Sequence, residues 1–242
     1  MMLDSHILVF KNQVQSKQSF KEQNYLDQED FSKFLDAFDG IGQNNYKAKP
    51  ELLKICASIE YYCALRISEV LTLKRDDFDL RNRILTLQNT KTGFRKCKCS
   101  KWEKRILISS DAKCSKCKGL GKYRVKQYTT IPKPLIVILS DFLKSLRYNK
   151  NLFSFSRISA WKYYKIAGKN ALLEIREQQF ERSIEGIWTH LLRKSYLKWM
   201  RKNGASIELC EVKARHSEKR SIDHYIRPDI QALKIWEAQK FG

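Results

Sequence analysis

Apolar residues return at helical spacing over most of this chain. Phe31, Phe34, Leu35 and Phe38 form one stripe. Asp27 stands ahead of it as an N-cap, and Glu29 and Asp30 make an acidic first turn. Gly40-Ile41-Gly42 ends that helix. A second helix begins after Pro50. Leu52, Leu53, Ile55, Cys56, Ile59, Tyr62 and Cys63 are too dense for a surface helix, which predicts a central one running on toward Leu73. From Asp76 the period changes. Phe78, Leu80, Ile84, Leu85 and Leu87 alternate loosely with polar residues around a turn at Asp79 to Asn82. Thr90-Lys91-Thr92-Gly93 reads as a hairpin tip, yet the matching β run, Tyr128 to Pro132, comes much later. Residues 95–123 are therefore an insertion at the hairpin. Helical spacing resumes at Pro134 to Leu146 and at Ile158 to Gln178, with Trp161, Tyr164, Leu172, Leu173 and Ile175 as expected core contacts. Thr189 is the expected N-cap of the next helix, and Gly204-Ala205-Ser206 starts another.

Charge changes this picture most. The chain has 242 residues, 47 Lys and Arg against 26 Asp and Glu, and a net charge of +21. The excess is spread along the sequence, which points to a polyanionic partner, because each phosphate neutralised releases counterions. No window has the length and apolarity of a membrane span, and the start lacks the order of a signal peptide. An intracellular protein is expected. Length and a 43% hydrophobic content fit one folded domain, with residues 1–24 as an arm or linker remnant.

Cysteine usage splits in two. Cys56, Cys63 and Cys210 sit alone in apolar helical patterns and are expected in the core. Cys97-Lys98-Cys99 and Cys114-Ser115-Lys116-Cys117, followed by Gly119 and Gly121, flank a short β-rich stretch in the insertion. Two pairs at this spacing form a zinc-ribbon-like pattern, although the first pair is one residue tighter than usual. Four thiolates satisfy a tetrahedral Zn²⁺ and leave no open position, so a bound metal would be structural. Free thiols or a redox pair are the alternative. Lys and Arg crowd the same insertion from Lys96 to Arg124, which suits a basic knob on a nucleic-acid backbone.

Polar groups of unusual character collect near the C-terminus. His190 and Arg193 stand at i and i+3 on one helix, His216 follows, and Tyr225 comes after it. His190 can be a satisfied core histidine or a phosphate ligand. Tyr225 can be packing or a nucleophile flanked by cations. Arg66, set among apolar residues, reads as a surface residue, as half of an ion pair with Glu69, or as a phosphate clamp oriented by that acid.

These residues, taken in order, resemble the catalytic domain of the tyrosine recombinases of phage-integrase type. Ala64-Leu65-Arg66-Ile67-Ser68-Glu69 matches the family's first box and Thr90-Lys91-Thr92-Gly93 its hairpin lysine. Thr189-His190-Leu191-Leu192-Arg193 matches its His-x-x-Arg box, and Ala214-Arg215-His216-Ser217 its later Gly-His box. Tyr225 matches the nucleophile. Arg215 replaces the usual Gly, Lys194 stands where many members have His, and the insertion leaves Lys96 or Lys98 as alternatives to Lys91.

The resemblance implies an α+β, mainly helical fold with a small three-stranded antiparallel sheet. The domain would span residues 25–242; the zinc-binding insertion at 95–123 and the lack of a separate core-binding domain, for which residues 1–24 are too few, depart from the family's pattern. It implies a site-specific recombinase or integrase using Arg66, Lys91, His190, Arg193, His216 and Tyr225, with no cofactor for the chemistry. The expected partners are double-stranded DNA, further copies of the chain as a dimer or tetramer on DNA, and an accessory protein. The expected location is the cytoplasm, at the nucleoid. A type IB topoisomerase-like enzyme and a non-catalytic zinc-containing DNA-binding protein are the alternatives. The tail after Tyr225 is expected to pack on a neighbouring subunit or on its own domain.

Overall fold

The structure is a computed structural model. It describes all residues except 1–24, 42–48, 89–93, 104–105, 147–149, 172–173, 178–181, 186–188, 216–229 and 242. Helices α1 (Gln28–Asp36), α2 (Pro50–Tyr62) and the single-turn α3 (Ile67–Val70) come first. Strands β1 (Phe78–Asp79), β2 (Ile84–Leu87), β3 (Phe94–Lys96), β4 (Ser100–Glu103), β5 (Ile106–Ser110), β6 (Lys122–Arg124) and β7 (Gln127–Thr130) follow. Helices α4 (Lys133–Ser145) and α5 (Arg157–Asn170), strands β8 (Glu174–Glu177) and β9 (Arg182–Glu185), and helices α6 (Thr189–Lys202), α7 (Ile207–Ala214) and α8 (Ile230–Phe241) complete the order. These gather into two units: Met1–Leu71 with Asn151–Ser206, and Thr72–Lys150 with Ile207–Gly242. No described helix is long and apolar enough to cross a membrane.

The first unit is helical around an aromatic core. The Asp27 carboxylate caps α1 by accepting from the Asp30 amide at 2.8 Å. Phe31 then stacks on Tyr61 with centroids 3.9 Å apart, and Phe34 meets Tyr164 edge-on at 5.5 Å. Tyr196 of α6 joins Tyr61 at 5.4 Å. Such pairs add about 0.5–1.5 kcal/mol each beyond area burial. Beside these rings the Ser195 Oγ accepts from the Leu26 amide and donates to the Leu191 carbonyl, tying the entry of α1 to α6.

Around α5 the expectations are corrected in two respects. The helix foreseen to Gln178 stops at Asn170, and the Ala171 amide closes it on Ala167 and Lys169. The chain then forms a β8–β9 hairpin with Ile175 opposite Ile184. Trp161 is not a core residue. It is 41% exposed, and Lys165, one turn on, places its ammonium 4.9 Å from the ring centroid. Cys56 and Cys63 are fully buried, as foreseen.

The second unit holds the antiparallel sheet β1-β2-β7, with Ile84 opposite Thr130 and Leu87 opposite Gln127. The alternation read from the sequence puts Leu85 and Leu87 inward. Helix α8 packs on β7, α7 and α4 of this same unit, through Leu233 and Trp236. Within the single chain the tail thus lies on its own domain. The insertion departs as a second ladder, β3 with β6, topped by the hairpin β4–β5.

Candidate active site

Helix α2 ends in a turn that shapes the first box. The Leu65 amide bonds to the Glu60 carbonyl and the Ala64 amide to the Tyr61 carbonyl, both at 3.0 Å. This is a Schellman cap, and its left-handed residue is Ala64 at φ 48°. Gly204 serves the same turn at the end of α6. A left-handed alanine costs about 1–2 kcal/mol. The turn aims the Ala64 carbonyl at Arg193, whose Nη1 donates to it at 2.7 Å. Arg193 is 2% exposed, so its guanidinium is oriented from below by a backbone acceptor.

The same turn delivers Arg66 to the start of α3. Glu69 acts on it twice: Oε2 accepts from the Arg66 amide at 2.9 Å, and Oε1 accepts from Nη1 at 3.1 Å. Glu69 is buried, while the Arg66 side chain stays 30% exposed. Of the readings open to Arg66, the ion pair is present, and the guanidinium still reaches solvent. His190 is exposed, one turn ahead of buried Arg193. Thr189 is the first helical residue of α6 and not the residue before it. The three remaining site residues of the sequence reading, Lys91, His216 and Tyr225, lie outside the described residues. Of the alternatives to Lys91, Lys96 sits 5.1 Å over the Trp102 ring and Lys98 is exposed.

The sequence reading missed Glu60. It is 0% exposed, and no hydrogen bond of ordinary geometry reaches either carboxyl oxygen. Burial pushes its pKa well above the ordinary 4.5, against weaker pulls from the Tyr164 hydroxyl, the Arg193 charge and the Ile67 amide, while Glu69 adds to the rise. A folded-state pKa above the unfolded one means that neutral Glu60 contributes stability fully below about pH 4.5 and loses it as pH rises toward the folded pKa. Glu60→Gln is therefore expected to gain on the wild type as pH rises from 5 to 8. Thermal unfolding across that range measures the gap, and a gap independent of pH would refute it. The missed signal was an acid inside a run otherwise too apolar for a surface helix.

Arg215 occupies the position where the resembled box has Gly. It adopts φ 54°, the left-handed conformation that glycine enters without cost, and its Nη1 donates to the Lys213 carbonyl at 3.1 Å. Arg215 is 7% exposed.

The four cysteines of the insertion converge. Their sulfurs all lie within 4.8 Å of one another, with Cys97–Cys114 at 3.6 Å and Cys99–Cys117 at 3.4 Å. A disulfide needs about 2.05 Å. Zn–S bonds of about 2.3 Å in a tetrahedron put sulfurs about 3.8 Å apart, close to what is seen. Amides of Cys117 and Lys116, with the neighbouring thiols, pull Cys114 down to about 6. The Asp111 amide favours the Cys99 thiolate, but burial and the other three thiols together push that group up to about 12. A dication would remove this competition for protons. The second knuckle closes through Lys118 to Cys114 at 2.8 Å and Leu120 to Cys117 at 2.9 Å. Gly121 adopts φ 64°, a left-handed conformation that strains other residues, and a Cβ there would push against the Leu107 side chain.

With this geometry in hand, the chain can be set beside known proteins. The model described as the phage integrase family matches residues 24–231. No curated protein matches the chain. Among solved structures, XerA recombinase is similar at TM-score 0.52 and 15% identity, covering 90% of this chain and 65% of its own. The Tn1549 transposon integrase, solved with a circular intermediate DNA, gives 0.52 and 13%, covering 88% and 61%. The integrase from mycobacterium phage Brujita gives 0.52 and 15%, covering 88% and 56%. The chain spans less than two thirds of the length of these three proteins. A family match over residues 24–231, most of the chain, places it in the phage integrase family.

Proposed function

We propose that the protein is a site-specific DNA recombinase or integrase that cuts and rejoins duplex DNA through a 3′-phosphotyrosine intermediate. The observation that carries this reading is the hold on the two arginines. Arg193 is fixed on the Ala64 carbonyl, and Arg66, two residues on, is fixed by Glu69. Donors set in place before the reaction stabilise developing charge at no cost in reorganisation.

In this reading Arg66 and Arg193 bind the non-bridging oxygens of the scissile phosphate, and His216 adds a hydrogen bond. The Tyr225 oxygen attacks phosphorus in line, giving up its proton toward His190. The bond to the 5′ oxygen breaks, and Lys91 protonates that leaving group. The phosphotyrosine bond keeps the energy of the phosphodiester, so a 5′-hydroxyl from another strand can reverse the step. Cys97, Cys99, Cys114 and Cys117 would hold one structural Zn²⁺, which supplies a fold for the insertion and no chemistry. The basic insertion touches the DNA backbone, and copies of the chain assemble on DNA as a dimer or tetramer.

The test is a nicked suicide duplex of element-end DNA. Wild-type protein is expected to form an adduct that survives denaturing electrophoresis, and its absence on every duplex tried would refute the reading. Arg193→Lys is expected to slow adduct formation about 10²–10³-fold. A lysine cannot hold the Ala64 carbonyl and a phosphate together in a planar fork. A slowing of less than tenfold would remove Arg193 from the reaction.

A further inference from the structure

Two fully buried charges take no part in the chemistry above. Lys213 lies on the inward face of α7 with Cys210 and Ala214, and Glu237 on the inward face of α8 with Leu233 and Trp236. Both are 0% exposed. The Lys213 ammonium sits 2.7 Å from Glu237 Oε1. It also donates to Thr130 Oγ1 at 2.9 Å and to the Thr130 carbonyl at 3.1 Å. All three of its protons thus have acceptors. Thr130 Oγ1 in turn donates to Glu237 Oε1 at 2.8 Å. Arg83 brings a second cation 3.5 Å from Glu237 Oε2. One junction therefore locks α7, α8 and the end of β7.

Apolar side chains of similar volume would hold two helices on a sheet at least as strongly, because burying charges is costly. What an ion pair with directed hydrogen bonds adds is a single register. Lys213 stands three residues before His216, and Glu237 stands twelve after Tyr225. The chain that carries both residues leaves from one half of the pair and returns to the other.

We infer that the Lys213–Thr130–Glu237 junction is the positioning device for the segment bearing His216 and Tyr225. It fixes α7 and α8, the two helices between which that segment runs in sequence, in register on β7. The three residues touch neither DNA nor phosphate; they act through the segment they hold. The inference rests on the recombinase reading for its function, while the junction itself does not.

The test compares Lys213→Met, Glu237→Gln and the double replacement Lys213→Met/Glu237→Leu in the full chain. Misplacement of a reacting group by about 1 Å costs about 10²-fold, so each variant is expected to form the suicide-duplex adduct about 10²-fold more slowly at saturating DNA. Duplex affinity is expected to hold, because the site is buried. The double variant separates positioning from stability. Its melting temperature is expected to return to the wild-type value or above, while its cleavage stays slow. Recovery of cleavage together with melting temperature, or single variants cleaving at the wild-type rate, would overturn the inference. Should the single variants not fold, the double variant alone decides. Should wild-type protein form no adduct, the recombinase reading fails and amide exchange tests the junction separately. Glu237→Gln is then expected to speed exchange throughout α7 and α8, and unchanged exchange overturns the inference.

Discussion

Tyr225→Phe is expected to abolish the covalent protein–DNA adduct, with binding to the same duplex retained. The substitution removes one oxygen and leaves the ring, the smallest change that takes away the nucleophile. Affinity for duplex comes from phosphates neutralised across a chain of charge +21, and one neutral phenol contributes little to that sum. Chemistry has no such reserve. In the proposed mechanism Arg66 and Arg193 still bind a phosphate in the variant, but they would stabilise a transition state that no atom is present to start. The loss should therefore be total, whereas Arg193→Lys should leave a slow reaction. Denaturing gels and a filter-binding titration on one duplex measure both quantities. An adduct that persists in Tyr225→Phe would identify another nucleophile and refute the assignment.

Removal of metal should have the next largest effect, confined to the insertion. β3–β6 and β4–β5 are two-stranded ladders, and such ladders are marginal in water on their own. Their side chains do little to bury them: Ile106, Ile108 and Leu120 are 65%, 60% and 68% exposed. What remains at the centre is Cys97, Cys117 and the bonds between Ser100, Trp102 and the Gly121 carbonyl. Structural zinc binds with apparent free energies of about 10–16 kcal/mol, more than these contacts can replace. Purified protein is expected to contain one zinc per chain. Chelation, or Cys117→Ala, is expected to expose amides from Phe94 to Arg124 to rapid exchange while α2 and α6 stay protected. A metal-free protein with a protected insertion would refute the site. Acid should act as chelation does, since thiolates hold the metal and protons compete for them.

Local patterns made much of this fold readable. Asp27 caps its helix because a carboxylate ahead of an apolar stripe can only bond the next free amides, and both ends of that bond lie within three residues. Arg66 and Glu69 are close enough in sequence for their pairing to be foreseen. Cys97 and Cys114 are farther apart, but thiol pairs have few uses and the spacing narrows them. Lys213 and Glu237 could not be paired in this way. Each sits on a helix where a charge ordinarily faces water, and only the meeting of α7, α8 and β7 makes burial affordable. Glu60 was hidden for a related reason, because its neighbours Arg193 and Tyr164 come from distant helices. The β8–β9 hairpin was lost to a helical pattern that runs past Asn170 without a glycine or proline to stop it.

The entry and exit of the insertion face each other across one ladder, Phe94 opposite Arg124. Cα atoms paired in this way are about 4.5–5.5 Å apart, a gap that a two-residue turn closes. The knob is thus a cassette. It could have been acquired by, or deleted from, an ancestral gene at a hairpin tip without disturbing β1-β2-β7, and an engineer could exchange it for a short turn on the same footing.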